Sequence, residues 1–309
     1  MPIGFDKSHS LNGPHHPVMA TIATANFDDS LSAYQTELGY EVVETGNLSA
    51  DMVKQWGAPE LIEARVALLR PMSGAPVFFR FVEIQGPSQR NERPLGWFAL
   101  EICVKDVEAL YERLLEGGVF KPFAKPLPLA FTDRVYPMQC KGPAGEILYL
   151  NQVRGSLPDI DLPIASSFVD HLFIAILSAP DMEASNDFYC DLLGVTVNER
   201  HEIAYKTINR VHDLPLDTQH KLSTLGAPRH VGLEIDQFPS QSELPDLHQR
   251  QSIGEGILMV SFAVDTLDLF AEAVVETPKQ LSAAPYNNST SLIIRGPGNE
   301  RIELIEITG

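Results

Sequence analysis

Val169 to Gly194 reads VDHLFIAILSAPDMEASNDFYCDLLG. An apolar run opened by His171 predicts a buried strand, and Ser178-Ala179-Pro180 breaks it. Met182, Phe188, Tyr189, Leu192 and Leu193 then follow at helical spacing as far as Gly194. A second stretch, GPGNERIELIEI, predicts a turn over residues 296–299 and then a strand that carries Glu303 among Ile302, Leu304 and Ile305. Such a strand does not favour a carboxylate for packing, because a buried unpaired charge is costly. A histidine and a carboxylate on apolar strands are compatible with one divalent metal, which would remove that cost.

Working outward, the first stretch has a copy. His16, Ala20, Ser30, Tyr34, Leu38 and Gly39 recur 155 residues later (171 − 16 = 155) as His171, Ala175, Ser185, Tyr189, Leu193 and Gly194. The ends correspond too: Gly142-Pro143 and Gly296-Pro297 each lead into a final strand, EILYLNQV and ERIELIEI. Between the copies lies VRGSLPDIDLPIASS, rich in Pro, Ser and Asp and without periodicity, which reads as a linker. Two domains are expected, 1–155 and 165–309. Each half divides again into units of strand, helix and several strands: MATIATA with DDSLSAYQTELG, WFALEICV with DVEALYERLLEGG, HLFIAIL with MEASNDFYCDLLG, and ILMVSFAV with TLDLFAEAVVE.

Composition bounds the function. A chain of 309 residues with 44% apolar content fills ordinary cores. The formal charge of -18 disfavours nucleic-acid or anionic-membrane partners, since either needs a basic face. Cys103, Cys140 and Cys190 stand far apart in apolar segments, as expected of buried thiols in a reducing compartment. No apolar run approaches signal-peptide or membrane-span length, so a cytoplasmic protein is expected.

The signature His-(apolar strand)-Pro-Asp-Met-Glu-Ala-Ser-x-x-Phe-Tyr-x-x-Leu-Leu-Gly, with Gly-Pro-Gly-Asn-Glu-Arg-Ile-Glu-Leu near the end, resembles the vicinal oxygen chelate superfamily. That group includes glyoxalase I, methylmalonyl-coenzyme A epimerase, extradiol dioxygenases and bleomycin-resistance proteins. The resemblance implies an α+β fold of four βαβββ modules, paired into two glyoxalase-like domains with U-shaped mixed sheets. It also implies metal ligands on the first and last strands of the two modules of one domain. Carried over position by position, it gives His171, Glu234 and Glu303 in the C-terminal half, with Met259 at a fourth position where the family has His, Gln or Glu. In the N-terminal half the same positions are His16, Arg80, Ala99 and Tyr149. That half is expected to bind no metal and to support the other by packing. On the residues alone, His230 competes with Glu234 for the third ligand.

One imidazole and two carboxylates suit one Zn²⁺, Mn²⁺, Fe²⁺, Co²⁺ or Ni²⁺ and leave open positions for a substrate oxygen. The expected activity is a metal-dependent lyase, isomerase or epimerase of a small carbonyl compound, with Glu303 also catalytic. The alternatives are an extradiol-type dioxygenase and a metal-free small-molecule binding protein. Tyr205 and His212, with His220 and Tyr286 beside them in rank, are the acid–base candidates outside the ligand set. The expected partner is a small-molecule substrate, and a homodimer is compatible with the sequence.

Overall fold

The computed structural model describes residues 5, 16–85, 95–129, 132–204, 209, 214–237, 253–268 and 277–307. The first module runs through β1 (Pro17–Thr24), α1 (Phe27–Ala33), β2 (Glu41–Asn47), α2 (Ala50–Gln55), β3 (Arg65–Arg70) and β4 (Phe78–Glu83). α1 continues into one wider helical turn, Tyr34–Leu38, and Gly39 closes it in the left-handed conformation. The second module comprises β5 (Gly96–Val104), α3 (Val107–Gly117), β6 (Lys121–Pro122), β7 (Val135–Lys141) and β8 (Ile147–Val153). In the third, β9 (Val169–Ser178) leads to α4 (Met182–Leu193), β10 (Thr196–Ala204), β11 (Gln219–Gly226) and β12 (Leu233–Gln237). The fourth contains β13 (Gly256–Val264), β14 (Lys279–Gln280), β15 (Thr290–Arg295) and β16 (Arg301–Glu306). The helix expected over TLDLFAEAVVE lies largely outside the described residues.

α3 and α4 start where Asp106 and Asp181 accept from the amides of Ala109 and Ala184, and both end at a left-handed glycine, Gly118 and Gly194. Their inward residues, among them Leu110, Leu114, Tyr189 and Leu193, join the alternate residues of both sheets in one core.

The modules form two eight-stranded mixed sheets, as the resemblance implies, but the partners differ from expectation. The first sheet has the order β14-β15-β16-β13-β1-β4-β3-β2, and the second β10-β11-β12-β9-β5-β8-β7-β6. Module one therefore shares a sheet with module four, and module two with module three. The expected division at 1–155 and 165–309, one sheet per half, does not describe the strand pairing. β1 joins β13 and β5 joins β9, both antiparallel.

This arrangement places Arg80 and Glu303 in one sheet and Glu101 and Glu234 in the other. The observed pairing joins Arg80 to Glu303.

The halves are still stitched by their helices. Tyr34 Oη donates to Glu146 Oε1 at 2.9 Å, and its repeat copy Tyr189 donates to Glu300 Oε1 at 2.6 Å. Each bond ties a helix of one module to the turn before the last strand of the next. The glycine in each turn makes room: a Cβ on Gly142 or Gly296 would lie 2.0 or 1.9 Å from the carboxylate oxygen.

Candidate active site

The concave faces of the two sheets hold equivalent positions. In the first sheet Thr21 is paired with Arg80 and Met259, and Ser261 with Glu303. In the second, Ile176 is paired with Glu234 and Ala99, and Glu101 with Tyr149. The same four strand positions thus carry opposite chemistry in the two sheets.

The face of the first sheet is filled by its own chain. Glu303, fully buried, accepts from Tyr286 Oη at 2.6 Å and Ser291 Oγ at 2.9 Å on one oxygen. Its other oxygen accepts from Ser261 Oγ at 2.5 Å and Arg80 Nη2 at 3.1 Å. Arg80 Nε donates to Thr21 Oγ1 at 3.0 Å, its Nη1 donates to Tyr286, and its guanidinium lies 4.5 Å from the centroid of the Trp56 ring. Burial opposes the Arg80 charge, but Tyr286 and Glu303 hold its pKa above the ordinary arginine value. Every acceptor of Glu303 is engaged, so the structure uses it as an ion-pair and hydrogen-bond partner. The expected roles of Glu303 as metal ligand and catalytic group are corrected accordingly. Tyr286 is a member of this closed network, and Met259 packs beneath Trp56 with Ile293 and Val82.

The expected set His171, Glu234 and Glu303 is not assembled. Glu303 is on the other sheet from the remaining two. On the second sheet, Glu234 lies beside Ile176, five residues past His171, a separation of roughly 16 Å along the strand. His230 does not replace it, because it sits in the turn before β12 with its ring 6.0 Å from that of His16.

His171 has different neighbours. Its Nδ1 is 3.0 Å from Asp170 Oδ1 and 3.7 Å from Cys103 Sγ. Among the described residues, Cys103, Asp170 and His171 alone bring three such donors within 4.8 Å of one another. This donor set does not fit a resident ion. Asp170 already accepts from Ser73 Oγ at 2.6 Å, from the Ser166 amide at 2.6 Å and hydroxyl at 2.9 Å, and from the Ser167 amide at 3.2 Å. Burial opposes its charge, yet His171, Ser73 and Ser166 together hold its pKa well below the usual carboxylate range. Burial and the Asp170 charge push the Cys103 thiol up to about 12, so it is protonated at neutral pH.

The face of the second sheet carries the reactive groups. Glu101 on β5 and Glu234 on β12 are partly exposed, Asp236 is buried two residues beyond Glu234, and Asn151 on β8 is 5% exposed. Strand alternation turns Glu234 and Asp236 to one face while Leu233 and Ile235 enter the main core. Asn151 Nδ2 donates to Glu101 Oε2 at 2.5 Å. Phe98, Ala99, Tyr149, Phe173, Ile174 and Ile176 form the apolar surround.

These three carboxyl groups hold protons tightly. Burial raises Glu234 to about 7, against the hydrogen bond from Asp236 and the charge of His201. Burial, then Glu234, then Glu101 raise Asp236 well above the aspartate range. Burial and Glu234 raise Glu101, against the Asn151 bond. A bond between two carboxyl groups requires a proton on one of them. With both ionised, neither oxygen of Asp236 has a donor.

Tyr205 and His212 lie outside the described residues. His220 is buried on β11 against Asn209, and burial lowers its pKa. Sequence reasoning missed Glu101, Asn151 and Asp236. Their signal was present: WFALEICV holds a single charge inside an apolar run, and LEID alternates apolar and acidic residues.

The family model of the Glyoxalase/Bleomycin resistance protein/Dioxygenase superfamily matches residues 169–304. Over those residues the chain is similar to this superfamily. The match begins at β9 and ends inside β16, and the internal repeat carries the same module into the N-terminal half. Among solved structures, glyoxalase I from Zea mays is similar at TM-score 0.63 and 15% identity, over 94% of this chain and 92% of that one. A mutant of that enzyme gives 0.65 and 16%, over 96% and 94%. At such identities the likeness shows the fold alone. A search of curated proteins finds no match. No helix among the described residues is long and apolar enough to cross a membrane.

Proposed function

We propose that the chain is a superfamily enzyme that moves a proton on a small carbonyl compound, as an isomerase, epimerase or lyase, at the concave face of the second sheet. The asymmetry between the sheets carries this reading. The positions of the satisfied Arg80–Glu303 pair in one sheet are held by Glu234 and Tyr149 in the other, beside Glu101 and Asp236. A satisfied network resists change, whereas an acid cluster with a shared proton can give one up.

Glu234 is the proton carrier. A group titrating near 7 is available in both forms at neutral pH, where general acid–base catalysis contributes about 10²–10⁴-fold. Asp236, held neutral, hydrogen-bonds Glu234 and stabilises its ionised form. The apolar surround keeps the charge poorly solvated, which favours return of the proton to carbon or oxygen. The proton chemistry is placed on Glu234 rather than at Cys103, Asp170 and His171, where Ser73, Ser166 and Ser167 already occupy the Asp170 carboxylate.

The test is deuterium exchange. A panel of small α-hydroxy and α-amino ketones in D₂O, followed by NMR, should include a compound whose α-proton exchanges at least about 100-fold faster with enzyme than without. Glu234→Gln should remove that acceleration, whereas His171→Ala should keep it. Equal exchange by wild type and Glu234→Gln would refute the assignment.

A further inference from the structure

We propose that Glu101 and Asn151 form a subsite for a protonated amine on the ligand, so the substrate class is an amine-bearing carbonyl compound with an apolar body. The inference rests on the placement of the active site in the second sheet and adds what the ligand must carry.

Asn151 is nine-tenths buried, and its Nδ2 donates to Glu101 Oε2 at 2.5 Å. With Glu101 ionised, as beside a bound cation, that bond fixes the amide, because the flipped orientation would set oxygen against oxygen. Oδ1 is therefore the free end, and it has no hydrogen-bond donor. Such atoms are costly to leave unmet in a buried place. The unmet atom of Asn151 is an acceptor, so the complementary ligand brings a donor.

Charge narrows the choice. Glu101, Glu234 and Asp236 share this face, so a carboxylate or phosphate on the ligand would meet repulsion from them. An ammonium has three donors and no acceptor, which suits Glu101 with Asn151 Oδ1. Phe98 and Tyr149 lie in the same apolar surround and offer ring surface to the body of such a ligand. The amine would rest on β5 and β8 while Glu234, on β12, faces the carbon to be deprotonated.

The experiment is calorimetric titration of the full chain at pH 7.5 with benzylammonium, benzyl alcohol and benzoate. Benzylammonium is expected to bind at least tenfold more tightly than benzyl alcohol, and benzoate not to bind. Glu101→Gln and Asn151→Leu should each reduce the ammonium-to-alcohol ratio at least fivefold. Because the ratio is taken within one preparation, loss of folded protein lowers both values and leaves it unchanged. Asn151→Leu supplies the answer should Glu101→Gln fail to fold. Benzoate binding as tightly as benzylammonium, an unchanged ratio in both variants, or one equivalent of Mn²⁺ displacing benzylammonium would overturn the subsite. Loss of ammonium selectivity with Glu234-dependent exchange intact would overturn the subsite alone; intact selectivity without such exchange supports it and counts against proton transfer.

Discussion

Arg80 and Glu303 show how a buried charge chooses its partner. Each lies on an apolar strand, and each would be costly alone. Together with Tyr286, Ser261, Ser291 and Thr21 they close a network in which both are satisfied. Arg80→Leu strands the carboxylate and should cost about 3–5 kcal/mol in urea unfolding. Arg80→Met combined with Glu303→Leu should cost far less, since hydrophobic replacement of a whole buried pair is often close to neutral. If the double variant is as unstable as the sum of the singles, the pair is not the unit described. The acid cluster behaves in the opposite way. Its folded-state pKa values are raised, so its stabilising contribution is complete below the unfolded glutamate value, about 4.3, and is lost as pH rises through about 7. Unfolding free energy should therefore fall over that window, and Glu234→Gln should flatten the slope; an equal slope in the variant would contradict the cluster.

At the scale of elements, the modules were legible and their partners were not. The repeat, the strand–helix signature and the Gly-Pro turns are local patterns, and each reappears in space as an element where the spacing put it. Pairing depends on long-range complementarity, and every module presents a first strand able to join any other. Arg80 was read as one of the positions of a half without metal and Glu303 as a carboxylate that needs a cation. The structure joins the two in a single contact. Tyr34 and Tyr189 illustrate the legible kind: their recurrence 155 residues apart marks the same buried bond to Glu146 and Glu300. Tyr34→Phe and Tyr189→Phe should each lower stability by about 1–3 kcal/mol, because each removes the donor to a buried carboxyl. Thermal melts that match wild type would show that the bonds contribute nothing.

Over the whole molecule, duplication supplied two equivalent concave faces that then took different residues. One is closed by Trp56, Tyr286 and the Arg80–Glu303 pair, and the other keeps three carboxyl groups against apolar walls. The sequence reading grouped Glu303 with His171 and Glu234, which lie on the other sheet, and did not single out Glu101 or Asp236. Glu234 was picked from its strand position, and the proposed function gives it a proton to carry. The most direct measurement is ¹³C NMR of protein labelled at the glutamate side-chain carboxyls, titrated from pH 4 to 9. The predicted result is a carboxyl whose titration centres near 7 and whose signal is missing in Glu234→Gln. A titration in which every glutamate carboxyl ionises below about pH 5, the ordinary range, would contradict the account.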